Sequence, residues 1–313
     1  MGEGLKSLFP IEPFSVMGPV DALRAMPAAV NASRILADNA AKSQADACVL
    51  IDSWAFAQLA AKAIRKQSPT TKLIKYVAPQ VWASRPNRAK KASELFDAML
   101  CLFEFEPAYF EKYGLSATWV GHSGFQEMRN HPGEGIAFRN KYGVSNETPL
   151  LVVLPGSRKS EVQRLQEPFR QSLHLIDGKI PNMRVVIVAA PNVAQMLVPM
   201  CETWPCDPII VEKAERHDAF AAANVALAAS GTVVTELAIQ GTPTVVAYRV
   251  GRLTAAWARR VITTKYASLI NIAAQREVVP EFIQENCEPR KIAASVINLL
   301  SDGNARAAQL DAF

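Results

Sequence analysis

The sequence predicts an α/β fold with two open, parallel sheets arranged in series along the chain. Short apolar runs at residues 47–51, 73–77, 98–103 and 118–120 alternate with helical patterns, and the alternation restarts at residue 150. Such alternation is typical of doubly wound parallel sheets. A polar segment with several Gly and Pro residues separates the two halves, which indicates a domain boundary.

Each half is assigned element by element. A helix is predicted at about residues 21–39, before any strand. The helices predicted between the first strands are residues 55–66, 87–93 and 107–112. The strands predicted for the second half are residues 150–154, 185–188, 209–211, 225–228 and 244–247. We therefore expect a first domain at 1–125, a linker at 126–148, a second domain at 149–300 and the start of a final helix at 301–313.

Composition and charge narrow the classes of function. Half of the 313 residues are hydrophobic, so the chain can bury two cores, and disorder is not expected. The formal net charge is only +5, and basic and aromatic residues are not interleaved, so no nucleic-acid partner is expected. The five Cys and four His are dispersed, which predicts reduced thiols, a cytoplasmic protein and no metal site.

An apolar cluster near the amino terminus is a candidate membrane contact. No apolar stretch reaches the length that spans a bilayer, so we expect any membrane contact to be peripheral. The cluster contains few charges and comprises Phe9, Ile11, Phe14, Val16 and Met17. Such residues lie at lipid surfaces, but they also fill protein cores, and the residue types leave both alternatives open.

A turn in the second half predicts an anion site. It follows the apolar run at 150–154 and contains Gly156, Ser157 and Arg158. Gly lets the backbone approach an anion closely, and the first amides of the following helix point toward it. Arg158 adds a charge suited to bidentate contact with a diphosphate. The alternative is an ordinary strand-to-helix turn with a capping serine.

A second turn repeats this pattern after the run at 225–228. It contains Ser230, Gly231 and Thr232, and Glu236 lies in the opening turns of the next helix. A carboxylate there can accept hydrogen bonds from ribose hydroxyls. The two turns together predict a nucleotide-sugar pocket at the carboxyl ends of the strands.

A carboxylate and an aromatic, basic loop follow the first two strands. Asp52 ends the run at 47–51, where it can act as a general base toward a sugar hydroxyl or simply cap the next helix. Trp82, Arg85 and Arg88 follow the next strand and can seat a sugar face and a phosphate. Alternatively, Trp82 belongs to the core and the two arginines begin a solvated helix.

Short motifs occur in a specific order from the first strands to the last. They are Tyr-Val-Ala-Pro-Gln-Val-Trp-Ala at 76–83, Phe-Glu-Phe-Glu at 103–106, Val-Gly-His at 120–122, Leu-Pro-Gly-Ser-Arg at 154–158, Ala-Ser-Gly-Thr at 229–232, Val-Ala-Tyr-Arg at 246–249, and Arg-Glu-Val-Val-Pro-Glu at 276–281. In this order they resemble the signature of the lipid-A-disaccharide synthase family. The resemblance extends over nearly the whole chain.

The resemblance implies an inverting GT-B-type glycosyltransferase with two Rossmann-like domains that face a cleft. The implied donor is UDP-2,3-diacylglucosamine and the implied acceptor is 2,3-diacylglucosamine 1-phosphate, joined by a β(1→6) bond with release of UDP. Asp52 matches the family's proposed base, with Glu104 or Glu106 as the next candidates, and Asn271 matches a polar position near the nucleotide. No cofactor or metal is implied, because the UDP-sugar is a substrate.

The acyl chains of both substrates imply work at the inner membrane surface of a Gram-negative bacterium. The family pattern also begins with a strand and a Gly-Glu-x-Ser-Gly-Asp turn that are not found here, so we expect a member truncated at both ends. Two further functions stay open, a degenerate UDP-binding remnant and a UDP-N-acetylglucosamine 2-epimerase-like enzyme. A homodimer is also left open.

Overall fold

The chain forms two α/β units, Met1–His122 and Ser123–Phe313. The computed structural model describes residues 7–10, 19–130, 132–229 and 231–313. Each unit contains a parallel sheet with helices, so the predicted α/β class is confirmed. Among the described residues, no helix is both long and apolar enough to cross a bilayer.

In the described part of the first unit, four parallel strands hydrogen-bond in sequence order. They are β1 (Ala47–Ile51), β2 (Lys72–Tyr76), β3 (Ala98–Cys101) and β4 (Ser116–Trp119). Successive side chains point to opposite faces of a strand. Leu73 and Met99 are fully buried on one face, whereas Val49 and Ile51 of the edge strand are exposed on the other. The described residues therefore cover one face of this sheet more fully than the other.

Within residues 7–10 and 19–122, which the structure describes, four helices accompany this sheet. They are α1 (Pro19–Lys42), α2 (Trp54–Gln67), α3 (Arg88–Leu95) and α4 (Ala108–Glu111). Small side chains such as Ala37, Ala57 and Ala60 are buried where α1 and α2 pack together, which lets the two helix backbones approach closely. Helix α1 is longer at both ends than the predicted 21–39.

The described residues of the second unit form six parallel strands. They are β5 (Leu150–Leu154), β6 (Arg184–Ala189), β7 (Ile209–Glu212), β8 (Val225–Ala228), β9 (Thr244–Tyr248) and β10 (Glu281–Ile283). Their order in the sheet is β10-β9-β8-β5-β6-β7, so β5 and β8 are central. Every residue of β5 is buried, as a central parallel strand with both faces covered requires.

Helices cover both faces of the second sheet. They are α5 (Ser123–Asn130), α6 (Gly135–Lys141), α7 (Lys159–Asp177), α8 (Ala194–Cys201), α9 (Arg216–Ala222), α10 (Val233–Ile239), α11 (Arg252–Val261), α12 (Leu269–Ala274), α13 (Pro289–Ser301) and α14 (Gly303–Asp311). Leu151 and Val153 of β5 face a core formed with α7 and α13. Val152 faces a second core formed with α6, α9 and α10.

The predicted linker at 126–148 is not a linker in the structure. It forms most of α5 and all of α6, and both helices belong to the second unit, which begins at Ser123. The buried Arg139 guanidinium donates hydrogen bonds to four oxygens, those of Ala222, Ser145 and Thr148 and the Asn224 side chain. Arg139 thus ties the segment to the end of α9 and to the residue that precedes β8.

Close backbone approach explains glycine in the same segment. A Cβ atom at Gly133 would lie 2.0 Å from the His217 carbonyl oxygen. A Cβ atom at Gly135 would likewise lie 2.6 Å from the Ala221 backbone, so packing against α9 requires glycine at both positions.

The carboxyl-terminal residues also belong to the second unit. The buried Gln309 side chain of α14 bonds to the Thr244 amide and carbonyl and to the Val278 carbonyl. These bonds tie α14 to the amino end of β9, so the second unit continues beyond the predicted boundary at residue 300.

Candidate functional site

Asp52 lies at the carboxyl end of β1, where the backbone leaves the extended conformation. Its φ angle is +49° and that of Ser53 is +31°, a left-handed region that residues other than Gly rarely adopt. The Asp52 amide donates to the Tyr76 carbonyl at 3.0 Å, and its side chain is exposed. Ser53, not Asp52, precedes α2 as its N-cap, and no side chain accepts a capping bond there. The helix-cap alternative for Asp52 is therefore wrong.

Trp82 is held by a buried carboxylate. Its indole Nε1 donates to Glu106 Oε1 at 3.1 Å, and its ring meets Phe105 edge to face at 5.6 Å between centroids. Glu106 also accepts the amides of Leu102 and Phe103, and burial raises the pKa of this carboxyl group. Because Glu106 is only 2% exposed, it cannot reach a substrate hydroxyl and cannot be the alternative general base.

The two arginines predicted to contact a sugar phosphate, Arg85 and Arg88, have different surroundings. Arg88 lies over the Trp54 ring, with 5.9 Å between its Cζ atom and the ring centroid. Burial lowers the pKa of its guanidinium. Arg85 is exposed and has a φ angle of +52°. Arg85 is thus the more exposed of the two, while Arg88 is partly buried against an aromatic ring.

One predicted membrane residue has a protein contact. Phe9 is half-buried, and its ring meets the Phe56 ring of α2 edge to face, with 6.3 Å between the ring centroids. The remaining predicted contacts, Ile11, Phe14, Val16 and Met17, lie outside the described residues.

In the second unit, the two predicted turns leave neighbouring strands at the same edge of the sheet. Leu154 of β5 and Ala228 of β8 are register partners, and the Ala229 amide continues the pairing to the Leu154 carbonyl. The turn at 155–158 and the turn at 230–232 therefore start side by side. Such an edge is where parallel α/β sheets bind ligands.

The amides of the first turn already hold an anion from the protein itself. Glu161 Oε2 accepts the amides of Ser157 and Arg158 at 3.1 and 3.3 Å. Glu161 lies at the third position of α7, from which a carboxylate can reach back to the start of its own helix. Our prediction that these amides bind a diphosphate is corrected: the turn binds an anion, and that anion is Glu161.

Gly156 serves this internal contact. Its φ angle is +117°, and a Cβ atom there would lie 2.7 Å from the Cβ of Glu161. Glycine is required because the Glu161 side chain fills the concave side of the turn.

Like Ser157, Arg158 is exposed in this turn. Its Nη1 donates to Glu161 Oε1 at 2.8 Å, and its side chain is 49% exposed. Tyr248 at the end of β9 donates to the same Glu161 oxygen at 3.1 Å. Burial, followed by the nearby Glu161 charge, raises the pKa of the Tyr248 hydroxyl. The guanidinium is thus oriented by a buried carboxylate while part of it faces solvent.

The second turn is exposed. Gly231 has a φ angle of +155°, and apart from its chain neighbours no atom of the described residues lies within 4 Å of the position that a Cβ would take. Thr232 is also exposed and precedes the first residue of α10, whereas Ser230 lies outside the described residues. An open turn of this kind leaves room for a ligand.

Glu236 on α10 is paired with a cation. Its Oε2 accepts Arg216 Nε at 3.1 Å and lies 3.9 Å from His217 Nε2. Burial first, and the Arg216 charge second, lower the pKa of His217. Because Arg216 uses one carboxylate oxygen, the other is left to accept a hydroxyl donor.

Asn271 is a structural residue rather than a ligand contact. It is fully buried, and its side-chain oxygen accepts the amides of Val278 and Val279. Its side-chain nitrogen donates to the Val279 carbonyl and to Glu281 Oε1. All four hydrogen-bonding positions of the amide are therefore used inside the protein. Our prediction that Asn271 lies at the nucleotide is wrong in this structure.

The family of the chain follows from comparison with known proteins. Residues 1–312 match the model of a family described as lipid-A-disaccharide synthetase. The chain belongs to this family. The lipid-A-disaccharide synthase of Rhodospirillum centenum is 38% identical over 310 residues, which cover 99% of this chain and 77% of that relative. The corresponding enzyme of Gluconobacter oxydans is 39% identical over 300 residues, covering 96% of this chain and 72% of the relative.

Membership in the lipid-A-disaccharide synthetase family fixes the class of reaction. The family consists of glycosyltransferases of lipid A biosynthesis, so lipid A precursors are its class of substrate. The predicted family and enzyme class are confirmed.

Solved structures with low sequence identity share the fold. A UDP-GlcNAc 2-epimerase from Neisseria meningitidis bound to UDP-GlcNAc is similar with a TM-score of 0.62 and 12% identity, over 94% of this chain and 78% of that chain. The structure of S. aureus MnaA with UDP is similar with a TM-score of 0.63 and 10% identity, over 96% of this chain and 80% of that chain. At such identities the likeness shows the fold alone. It confirms the GT-B class and gives the epimerase alternative no support beyond architecture.

The partners of three residues at this site cannot be read from the sequence, although Tyr248 and Glu281 lie in the motifs described above. Tyr248, Arg216 and Glu281 are each distant in sequence from the residue that they hold, and only folding brings the pairs together. Glu281 also accepts the Ala267 and Ser268 amides ahead of α12. Within the described part of the chain, no group of three or more His, Cys, Asp or Glu residues is arranged to hold a metal ion.

The contact between Gly156 and Glu161 predicts a specific loss of stability. In Gly156→Ala, the new Cβ must displace Glu161 and the backbone must keep an unfavourable φ angle, which we expect to cost about 1–3 kcal/mol. Urea unfolding measures the change. Gly303→Ala is the control, because open space surrounds that position and its change should stay within about 1 kcal/mol. A Gly156→Ala chain as stable as the parent would show that the turn does not depend on Glu161.

Proposed function

We propose that the chain joins UDP-2,3-diacylglucosamine to the 6-hydroxyl of 2,3-diacylglucosamine 1-phosphate through a β(1→6) bond and releases UDP. The family match supports the reaction class, and one structural observation carries the mechanism. Asp52 is an exposed carboxylate at a strand end, and it has no helix-capping role that would otherwise explain it. A carboxylate in that position is available to a substrate hydroxyl.

Asp52 is the proposed general base. It takes the proton of the acceptor 6-hydroxyl as that oxygen attacks the anomeric carbon of the donor. The new carbon–oxygen bond forms on the face opposite the departing UDP, which leaves with the electron pair of the broken bond, so the configuration inverts. The proton ends on Asp52 and the negative charge on UDP.

The second unit is the proposed nucleotide-binding unit. The half-exposed Arg158 guanidinium contacts the diphosphate, and the open turn with Ser230, Gly231 and Thr232 approaches it through backbone amides. The Glu236 oxygen that Arg216 does not use accepts a ribose hydroxyl. A fixed guanidinium and oriented amides stabilise the charge that grows on UDP, so the proposal requires no metal ion or other cofactor.

The first unit is proposed to bind the acceptor and to contact the membrane. Trp82, Arg85 and Arg88 follow β2 at the same sheet edge as Asp52, and an aromatic ring with two guanidinium groups suits a sugar phosphate. Both substrates carry acyl chains, so the chain works as a peripheral protein at the inner membrane surface of a Gram-negative cell.

The nucleotide site is tested by calorimetry with UDP on the full chain. Arg158→Ala should weaken binding by about 1.5–3 kcal/mol, the range of a charge-assisted hydrogen bond. Arg170→Ala is a matched control, because Arg170 also pairs with a glutamate three residues away on α7. Equal affinities for the two variants would place the diphosphate elsewhere, and the absence of UDP binding by the parent would refute the nucleotide site.

The base is tested by disaccharide formation. Asp52→Asn keeps the size of the side chain and removes its basicity, so turnover should fall by about two to four orders of magnitude while UDP affinity stays unchanged. Asp46→Asn is the control, since Asp46 is an exposed aspartate at the opposite end of the same strand. Parental turnover by Asp52→Asn would assign the base to another group, with the exposed Glu104 the next candidate. UDP binding by a parent without turnover would favour a UDP-binding remnant.

Membrane association is tested by flotation with vesicles of anionic phospholipid. Replacing Phe14 and Met17 together by Ser should lower the floating fraction, and added salt should have little effect because the contact is apolar. The control replaces Ile136 and Val198, two exposed apolar residues of the second unit, by Ser. If flotation is the same for both double variants, the amino-terminal cluster is not the membrane contact.

A further inference from the structure

A buried lysine lies directly beneath the strand end that carries Asp52. Lys75 of β2 is 1% exposed, so it cannot contact a substrate. Its ammonium group donates to the carbonyls of Leu50 at 3.2 Å, Asp52 at 2.7 Å and Tyr76 at 2.8 Å. All three N–H bonds of the ammonium group are thus matched by backbone oxygens. Two of these oxygens belong to the end of β1 and the third to the end of β2.

The backbone that Lys75 binds is in an unfavourable conformation. Asp52 and Ser53 have positive φ angles, and so does Val77 at +69°, which is especially rare for a β-branched residue. The Tyr76 carbonyl accepts both the Asp52 amide and the Lys75 ammonium group, so it connects the two strand ends. Such conformations persist only where surrounding contacts hold them, and the Lys75 bonds supply such contacts.

Lys75 carries its positive charge in this buried position. A lone ammonium group is costly to bury, and burial lowers the pKa of Lys75 to about 8, while the nearby Asp52 charge acts in the opposite direction. Lys75 therefore remains mostly protonated at neutral pH. A buried cation is thus bound to the backbone of the same short turn that carries the candidate base.

We propose that Lys75 is a positioning residue for the reaction: its ammonium group fixes the left-handed turn at Asp52 and Ser53 and thereby aims the Asp52 carboxylate. This proposal rests on the proposed function, in which Asp52 is the base. Lys75 acts through the Asp52 backbone. Without it, the turn can relax toward ordinary backbone angles and carry the carboxylate away from the acceptor hydroxyl.

The kinetic test uses Lys75→Met, which keeps an unbranched side chain and removes the donors. The kcat for disaccharide formation should fall by about 10- to 100-fold, the range that a small misplacement of a reacting group produces, while KM stays within about twofold. Leu73→Ala is the matched control, because Leu73 is a buried residue of the same strand that makes no bond to Asp52. It should lower stability with little change in kcat when assayed below its unfolding temperature.

A second measurement does not depend on turnover. Hydrogen exchange of the Asp52 and Val77 amides should accelerate at least tenfold in Lys75→Met, because the bonds to Tyr76 and Leu100 lose their support. Exchange at the remaining β1 and β2 amides should stay near parental rates. In Leu73→Ala, exchange should instead accelerate across the sheet. If Lys75→Met does not fold, Lys75→Gln, which keeps two donors, is measured in its place.

The outcomes separate this proposal from the proposed function. Parental kcat in the Lys75 variant, or an equal loss in Leu73→Ala, would reduce Lys75 to a core residue and overturn the proposal. The proposal would also be overturned if hydrogen exchange in Lys75→Met accelerated equally at all amides of β1 and β2. If Asp52→Asn keeps its turnover but the two amides exchange faster in Lys75→Met, Lys75 holds the strand end and the assignment of the base has failed instead.

Discussion

Buried charged side chains bind the backbone at the carboxyl edges of both sheets, and the shape of each candidate site depends on these bonds. Parallel strands end there in carbonyls and turns that leave the ladder and need other partners. In the first unit, the Lys75 ammonium group supplies donors to strand carbonyls. In the second, the Glu161 carboxylate supplies acceptors to turn amides. The same physical requirement is met with opposite charges.

This arrangement makes the turns rigid before any ligand arrives. Glu161 binds the amides of its turn, orients Arg158 and is itself held by Tyr248, so these contacts give the guanidinium a defined direction. A preoriented charge loses less entropy on binding and reorganises less during the reaction. The cost is that the turn amides are no longer available to a diphosphate. Binding in the second unit then relies on Arg158 and on the open turn at Gly231.

The fold was largely predictable because its strands are short apolar runs bounded by turn residues. The predicted runs at 47–51, 150–154 and 225–228 coincide with β1, β5 and β8. Strand β10 was missed because its three residues mix polar and apolar types and pair only with β9. The linker was mistaken for a flexible segment because its composition resembles one, although Arg139 binds an Asn224 oxygen 85 residues away in sequence.

The candidate site was predictable in position but less so in detail. Residue types at a strand end show that a turn suits an anion, yet they do not tell which anion occupies it. Tyr248 lies 87 residues from Glu161, so the contact that decides this is invisible to local patterns. Asn271 shows the same limit, since a residue in a family motif can serve the scaffold as well as the substrate. Exposure separates the two roles: Asp52 and Arg158 reach solvent, whereas the buried Lys75 and Glu161 bind the backbone that presents them. The buried Asn271 binds the backbone at Val278 and Val279 instead.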